Sequence, residues 1–230
     1  MNLEAVAITI SLTLLTVVLA FLTIRGFRSY FDHPDGHRLA WPVGLSFATA
    51  ATTIEVLAYL GTVDSVMLEA YVFFSAAIVG VLALGALRAF SSPRWVRGYL
   101  LFTIAGLGAL AVTCFSTPLP SSMVQAGVIS GDPTTLLLAL SILITVPATV
   151  VLLWASVISL RRRFRWQGMM ILIGAITLGT GGFLYIASFP VILYYAEFIG
   201  IFLLFLGLVD LSGLFASAPR DTHVGQQRSA

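Results

Sequence analysis

Residues 134–166 read TTLLLALSILITVPATVVLLWASVISLRRRFRW, and this stretch decides the fold class. From Thr134 to Leu160 it carries no charge, and it then meets Arg161, Arg162, Arg163 and Arg165. A helix rises about 1.5 Å per residue, so about 20 apolar residues cross the hydrocarbon core of a bilayer. This run is longer than a straight crossing needs and is expected to tilt or bend. Pro147 supplies the place, because its ring clashes with the carbonyl of Leu143 and removes one ladder hydrogen bond. The arginines mark the side on which the span stops, since cytoplasmic loops retain basic residues.

Working outward, six further apolar runs fit the same description. They cover Ala5–Ile24, Leu39–Gly61, Val66–Leu87 and Gly98–Phe115 before the quoted stretch, and Gly168–Ile186 and Val191–Phe215 after it. Pro42 falls in the first turn of the second run, where a missing N–H costs least. The first run opens Met1-Asn2-Leu3-Glu4, acidic rather than basic, and is too long for a signal-peptide core, so it is expected to be retained as a helix. The expected fold is therefore all-α, a seven-transmembrane helix bundle over residues 1–216. Residues 217–230 form a polar tail expected to be disordered. The composition agrees: 59% of residues are apolar, 10% are charged and the mean hydropathy is +1.01. Soluble domains carry about 25% charged residues.

Orientation follows from the arginines. The loops after the first, third and fifth spans hold Arg25, Arg28, Arg38, Arg88, Arg94, Arg97 and the four that follow Leu160, and the tail adds Arg220 and Arg228. The N-terminal end and the other loops hold none, so all 12 basic residues fall on one side. This places the N-terminus outside and the C-terminus in the cytoplasm of a multi-pass protein of the cell membrane. Trp95 and Trp166 stand at the cytoplasmic helix ends, where aromatic belts form. Tyr59 and Tyr185 at matching outer ends are compatible with a repeat of spans 1–3 in spans 5–7, but positive-inside topology produces the same pattern.

Several chemistries are excluded by what is missing. Lysine is absent, so neither a retinal Schiff base nor a lysine-bound pyridoxal phosphate can form. His33, His37 and His223 all lie outside the spans, which argues against an intramembrane haem or zinc site. Asp32, His33, Asp35 and His37 flank Pro34 and Gly36, and a turn is the plainer reading than a metal site. Cys114 is the sole cysteine, so no internal disulfide exists. Serines without a nearby base are not nucleophiles. No cofactor is expected, nucleic acid is not an expected partner, and enzymatic activity is disfavoured. The segment Leu208-Val209-Asp210-Leu211-Ser212 resembles the seventh helix of microbial rhodopsins, where an Asp precedes the retinal lysine by four residues. Leu214 occupies that position here, so the resemblance implies no retinal chemistry, and no family is assigned.

The acidic residues point to function. Glu4, Glu55, Asp64, Glu69, Asp132 and Glu197 lie on the outer side or in the outer half. A carboxylate facing lipid is costly, so intramembrane acids usually face the bundle interior. Glu55 and Glu197 each lie six residues inside a span end, about 9 Å below the interface. Thr52 and Tyr59 share the Glu55 side of their helix, and Tyr194 lies three residues from Glu197. These five residues, Glu55, Glu197, Tyr59, Tyr194 and Thr52, are the candidate site for a proton, a cation or a small solute. For Glu69, three residues below the interface, a hydrogen bond to a Thr or Tyr of a neighbouring helix, or snorkelling to the surface, is the plainer reading than a binding role. The pairs Ala76/Gly80, Ala105/Ala109, Ala175/Gly179 and Ala196/Gly200 read as close helix packing. Gly179-Thr180-Gly181-Gly182 reads as packing or as a flexible or broken segment. The leading expectation is a transporter or channel using an outer-half acidic pocket. The alternatives are a seven-helix sensor or receptor without retinal, and a non-catalytic subunit held to a membrane partner or to copies of itself.

Overall fold

The computed structural model describes residues 3–32, 34, 36–116, 119, 124–125, 128–129, 134–161, 165–186 and 190–208 of the 230. The tail, and with it His223, lies outside the described residues, as do His33, Asp35, Asp132, Asp210 and Leu214. Seven helices form: α1 (Leu3–Asp32), α2 (Gly36–Tyr59), α3 (Ser65–Phe90), α4 (Pro93–Ser116), α5 (Thr135–Arg161), α6 (Arg165–Ile186) and α7 (Pro190–Leu208). Between α4 and α5, β1 (Val124–Gln125) pairs antiparallel with β2 (Val128–Ile129), so a segment expected to be only loop contains a small hairpin.

Most helices begin or end beyond the apolar runs, because hydrophobicity marks the membrane slab and hydrogen bonding marks the helix. α1 continues past Ile24 through Arg25 and Arg28, and ends two residues before Pro34, whose ring disfavours helix in the residue ahead of it. α2 starts at Gly36, which moves Pro42 from the first turn to the helix interior. Pro42 is fully buried there, and a Cβ added to Gly26 of α1 would lie 3.1 Å from its Cβ, so the two helices cross closely at this point. α5 is uninterrupted through Pro147, and α6 is uninterrupted through Gly179–Gly182, so neither sequence breaks its helix.

The α2–α3 turn is fully capped. Gly61, at φ 71°, takes the left-handed conformation that glycine adopts without strain. Its N–H donates to Ala58 O at 3.0 Å, and the Thr62 N–H donates to Leu57 O at 3.1 Å, the paired bonds of a Schellman ending. Asp64 then caps α3, accepting from the Met67 N–H at 2.8 Å.

α1 packs on α2, α2 on α3, α3 on α4 and α5, α5 on α6, and α6 on α7. Two seams are tight. A Cβ on Gly44 would stand 2.7 Å from Leu82 across α2–α3, and one on Gly174 would stand 2.8 Å from the Gly200 carbonyl across α6–α7. Outward faces are apolar in turn: Ile10, Leu14, Val17, Phe21 and Ile24 of α1 are exposed at spacings of three and four, as are Ile142, Val146, Val150 and Trp154 of α5. Water-soluble monomers rarely expose apolar stripes of this length. Four stretches are long and apolar enough to cross a membrane: Ile8–Asp32, Ser65–Ala89, Pro93–Ser116 and Thr135–Arg161. The molecule is thus a helical bundle with the makings of a membrane protein, and α2, with Ser46, Thr49, Thr52, Thr53 and Glu55, carries its polar seam.

Candidate functional site

Glu55 lies in the last turns of α2 at 2% exposure, and its Oε1 accepts a hydrogen bond from the Tyr71 hydroxyl of α3 at 2.9 Å. Tyr71 is itself buried. The antiparallel geometry explains the meeting. Glu55 is four residues before the end of α2 and Tyr71 six after the start of α3, so the two lie about 6 and 9 Å below the turn that joins the helices. Burial without any hydrogen bond would cost a carboxyl several kcal/mol, and the phenol supplies one donor.

The strand β2, in the α4–α5 connection, also reaches α2. Leu119 and Ile129 are both buried at 2% within the main apolar cluster. By chain direction this connection lies at the same end of the bundle as the α2–α3 turn, the end without arginines. Arg25, Arg28, Arg88, Arg94, Arg97 and Arg161 belong to the opposite helix ends.

One turn deeper, Thr52 is buried and is joined to α1: Thr16 Oγ1 donates to Thr52 Oγ1 at 3.1 Å. Two residues of α2 nearer the arginines, Thr49 and Ser46, continue the polar line, and Thr49 Oγ1 lies 3.4 Å from Thr23 Oγ1 of α1. A cleft of about 320 Å³ opens beside this pair, lined by Ala20, Thr23, Ile24, Ser46, Thr49, Ala50 and Thr53. A second cleft of about 300 Å³ lies between α1 and α7 and is apolar, with Leu12, Leu15, Tyr195 and Phe198 among its walls.

Of the five residues read from the sequence, Glu55 and Thr52 lie in one buried polar line on α2, and Tyr59, a turn beyond Glu55, is half-buried against the core. The side chains of Glu197 and Tyr194 lie outside the described residues. Among the described residues α2 and α7 make at most marginal contact, with α1 packed on α2 and sharing the apolar cleft with α7. Glu69, in the second turn of α3, is buried at 6% exposure, although Ser65 and Val66 in the first turn are exposed.

Sequence reasoning missed Tyr71. The signal was available: across a short antiparallel turn, a tyrosine at matching depth on the next helix is a natural partner for a buried acid. Reading only neighbours on the same helix selected Tyr59 instead. Comparison with protein-family models, with curated proteins and with solved structures finds no match.

Proposed function

We propose that all seven helices span the cell membrane, with the N-terminus outside and the tail in the cytoplasm, and that Glu55 is a proton- or cation-binding carboxyl serving the transport of a proton, a cation or a small solute. The observation that carries this reading is the burial of Glu55 at 2% exposure with Tyr71 donating to Oε1. Intramembrane acids held inside a bundle mark ion pathways and proton relays more often than scaffolding. The hydroxyls of Thr52 and Thr16 extend the polar line inward from it, as a pathway requires. Glu197 on α7, at matching sequence depth, is the second acid of the proposal, and the twelve arginines at one end support the orientation.

Glu55→Gln keeps the shape of the side chain and removes the titratable group. In vesicles carrying the full chain, the variant is expected to abolish proton- or cation-coupled flux while leaving membrane insertion intact. Flux equal to that of the parent in both Glu55→Gln and Glu197→Gln sinks the proposal. Reporter fusions test the topology separately: a reporter active only outside the cytoplasm must be silent when attached to the C-terminus.

A further inference from the structure

The outward face of α4 changes character along its length. Arg94, Trp95, Arg97 and Gly98 are exposed in its first two turns, with Trp95 at 74%. Further along the same face, Leu101 and Ile104 are exposed at 68% and 60%, and exposed Ala105 and Gly108 follow. Spacings of three and four place these residues in one stripe, cationic at its start and apolar beyond. A Cβ added at Gly98 or at Gly108 would meet nothing within 4 Å, so the stripe is open at both glycines. The two lie ten residues apart, about 15 Å along the axis and half the thickness of a hydrocarbon core. Trp95, beside the arginines, belongs at headgroup level.

The arginines at the start of this stripe lack an anion. Topology explains why arginines collect at this end, but not why these stand unpaired. α4 has no acid in its first turn, and cations at the positive end of a helix are repelled by its dipole. Among the described residues no carboxylate pairs with Arg94, with Arg97 or with Arg161, the last residue of the neighbouring α5. Arg28 on α1 differs, because Asp32 follows it one turn later on the same helix. Among the described residues α1 and α4 make at most marginal contact, so Asp32 does not serve α4.

We propose that the outward face of α4 docks an anionic phospholipid of the arginine-side leaflet. Its phosphate meets Arg94 and Arg97, and one acyl chain lies along Gly98, Leu101, Ala105 and Gly108. Charge complementarity selects this occupant. A guanidinium presents a planar fork of donors that matches phosphate oxygens, and its long stem lets the charge reach the interface. A second copy of the chain, inserted in the same orientation, would set its own arginines against these, a like-charge clash. The inference rests on α4 crossing the bilayer and is independent of the role given to Glu55.

The test is quenching of Trp95 fluorescence in the full chain by brominated lipid. Vesicles of phosphatidylcholine carry a minority of brominated phosphatidylglycerol or, in the comparison, of brominated phosphatidylcholine. The share of Trp95 is the signal lost in Trp95→Phe. The parent is expected to be quenched more strongly by the anionic lipid. Arg94→Gln and Arg97→Gln should each lower that preference about fivefold, and the double variant should nearly abolish it. Gly98→Leu fills the groove without changing charge and should also weaken quenching by the anionic lipid, which a diffuse attraction to the surface would not require. Arg28→Gln removes the same charge from the same end of the bundle and should leave the preference unchanged. Equal quenching by the two lipids in the parent overturns the proposal, as does a preference that survives in the double variant. An equal loss in Arg28→Gln reassigns the effect to general surface charge and overturns it too. Trp95 quenched by neither lipid shows the face covered by a second copy, and displacement by inorganic phosphate, beyond chloride of equal ionic strength, shows a soluble anion. Either result overturns the lipid site.

Discussion

α3 and α4 are neighbours of similar length and similar hydropathy, yet 67% of the α3 span is buried and only 17% of the α4 span. α3 touches α2, α4 and α5, whereas among the described residues α4 makes extended contact with α3 and α5 alone. α4 therefore turns Leu101, Ile104, Val112 and Phe115 outward, while α3 encloses Leu68, Tyr71, Ala76, Leu82 and Ala86. In water such a difference would be written as polar residues on the outer face. In lipid both faces are apolar, and the outward and inward sides of a helix differ only in what they pack against. The comparison teaches that a membrane helix declares its presence by composition and its place by shape and by its few polar groups. Glu55 found its partner on α3, the most buried of the four long apolar spans.

Three pairs of substitutions can break this comparison. The largest effect is expected from truncation. Leu82→Ala, at a site 1% exposed, should cost about 2–5 kcal/mol of bundle stability, whereas Leu101→Ala, at 68% exposure on α4, should stay within about 0.5 kcal/mol. Reversible unfolding in mixed micelles measures both, and equal costs would refute the distinction between inner and outer helix. Next comes overpacking. Gly85→Leu on α3 meets Ala40 Cβ at 3.0 Å and the Trp41 ring at 3.3 Å, and should cost about 1–3 kcal/mol. Gly108→Leu on α4 meets nothing within 4 Å and should be tolerated or slightly favourable, as judged by thermal aggregation of the two variants. The smallest effect separates a bond between helices from one within a helix. Tyr71→Phe removes the donor to Glu55 and should cost about 1 kcal/mol, while Thr113→Val, whose hydroxyl bonds to Ala109 O on its own helix, should change stability by no more than a few tenths. Identical unfolding midpoints for these two variants would show that the Tyr71–Glu55 bond adds nothing to helix association.

The candidate site was partly legible. Glu55 was readable because a carboxyl in an apolar run has few tolerable places, and Thr52 followed from its position one turn away. Tyr71 was not singled out, since nothing within α3 distinguishes it from Tyr99 in α4 until the α2–α3 turn fixes which depths coincide. The burial of Glu69 at 6% exposure was not legible, because depth counted along its own helix says nothing of the neighbours that pack around it.

By itself the sequence determined the number and approximate extent of the helices, the end of the bundle that collects the arginines, and the absence of lysine chemistry. These depend on composition along one dimension, and about 20 apolar residues in a row have one cheap conformation in lipid. The tertiary structure decided that α3 is the most buried of the four long apolar spans, that Pro42 is buried inside α2 beside Gly26, that β2 packs against α2, and that the threonines of α1 and α2 meet in pairs. The physical reason is the solvent: lipid matches the apolar side chains of both faces, so burial is assigned by close packing and by the few hydrogen bonds that cross between helices.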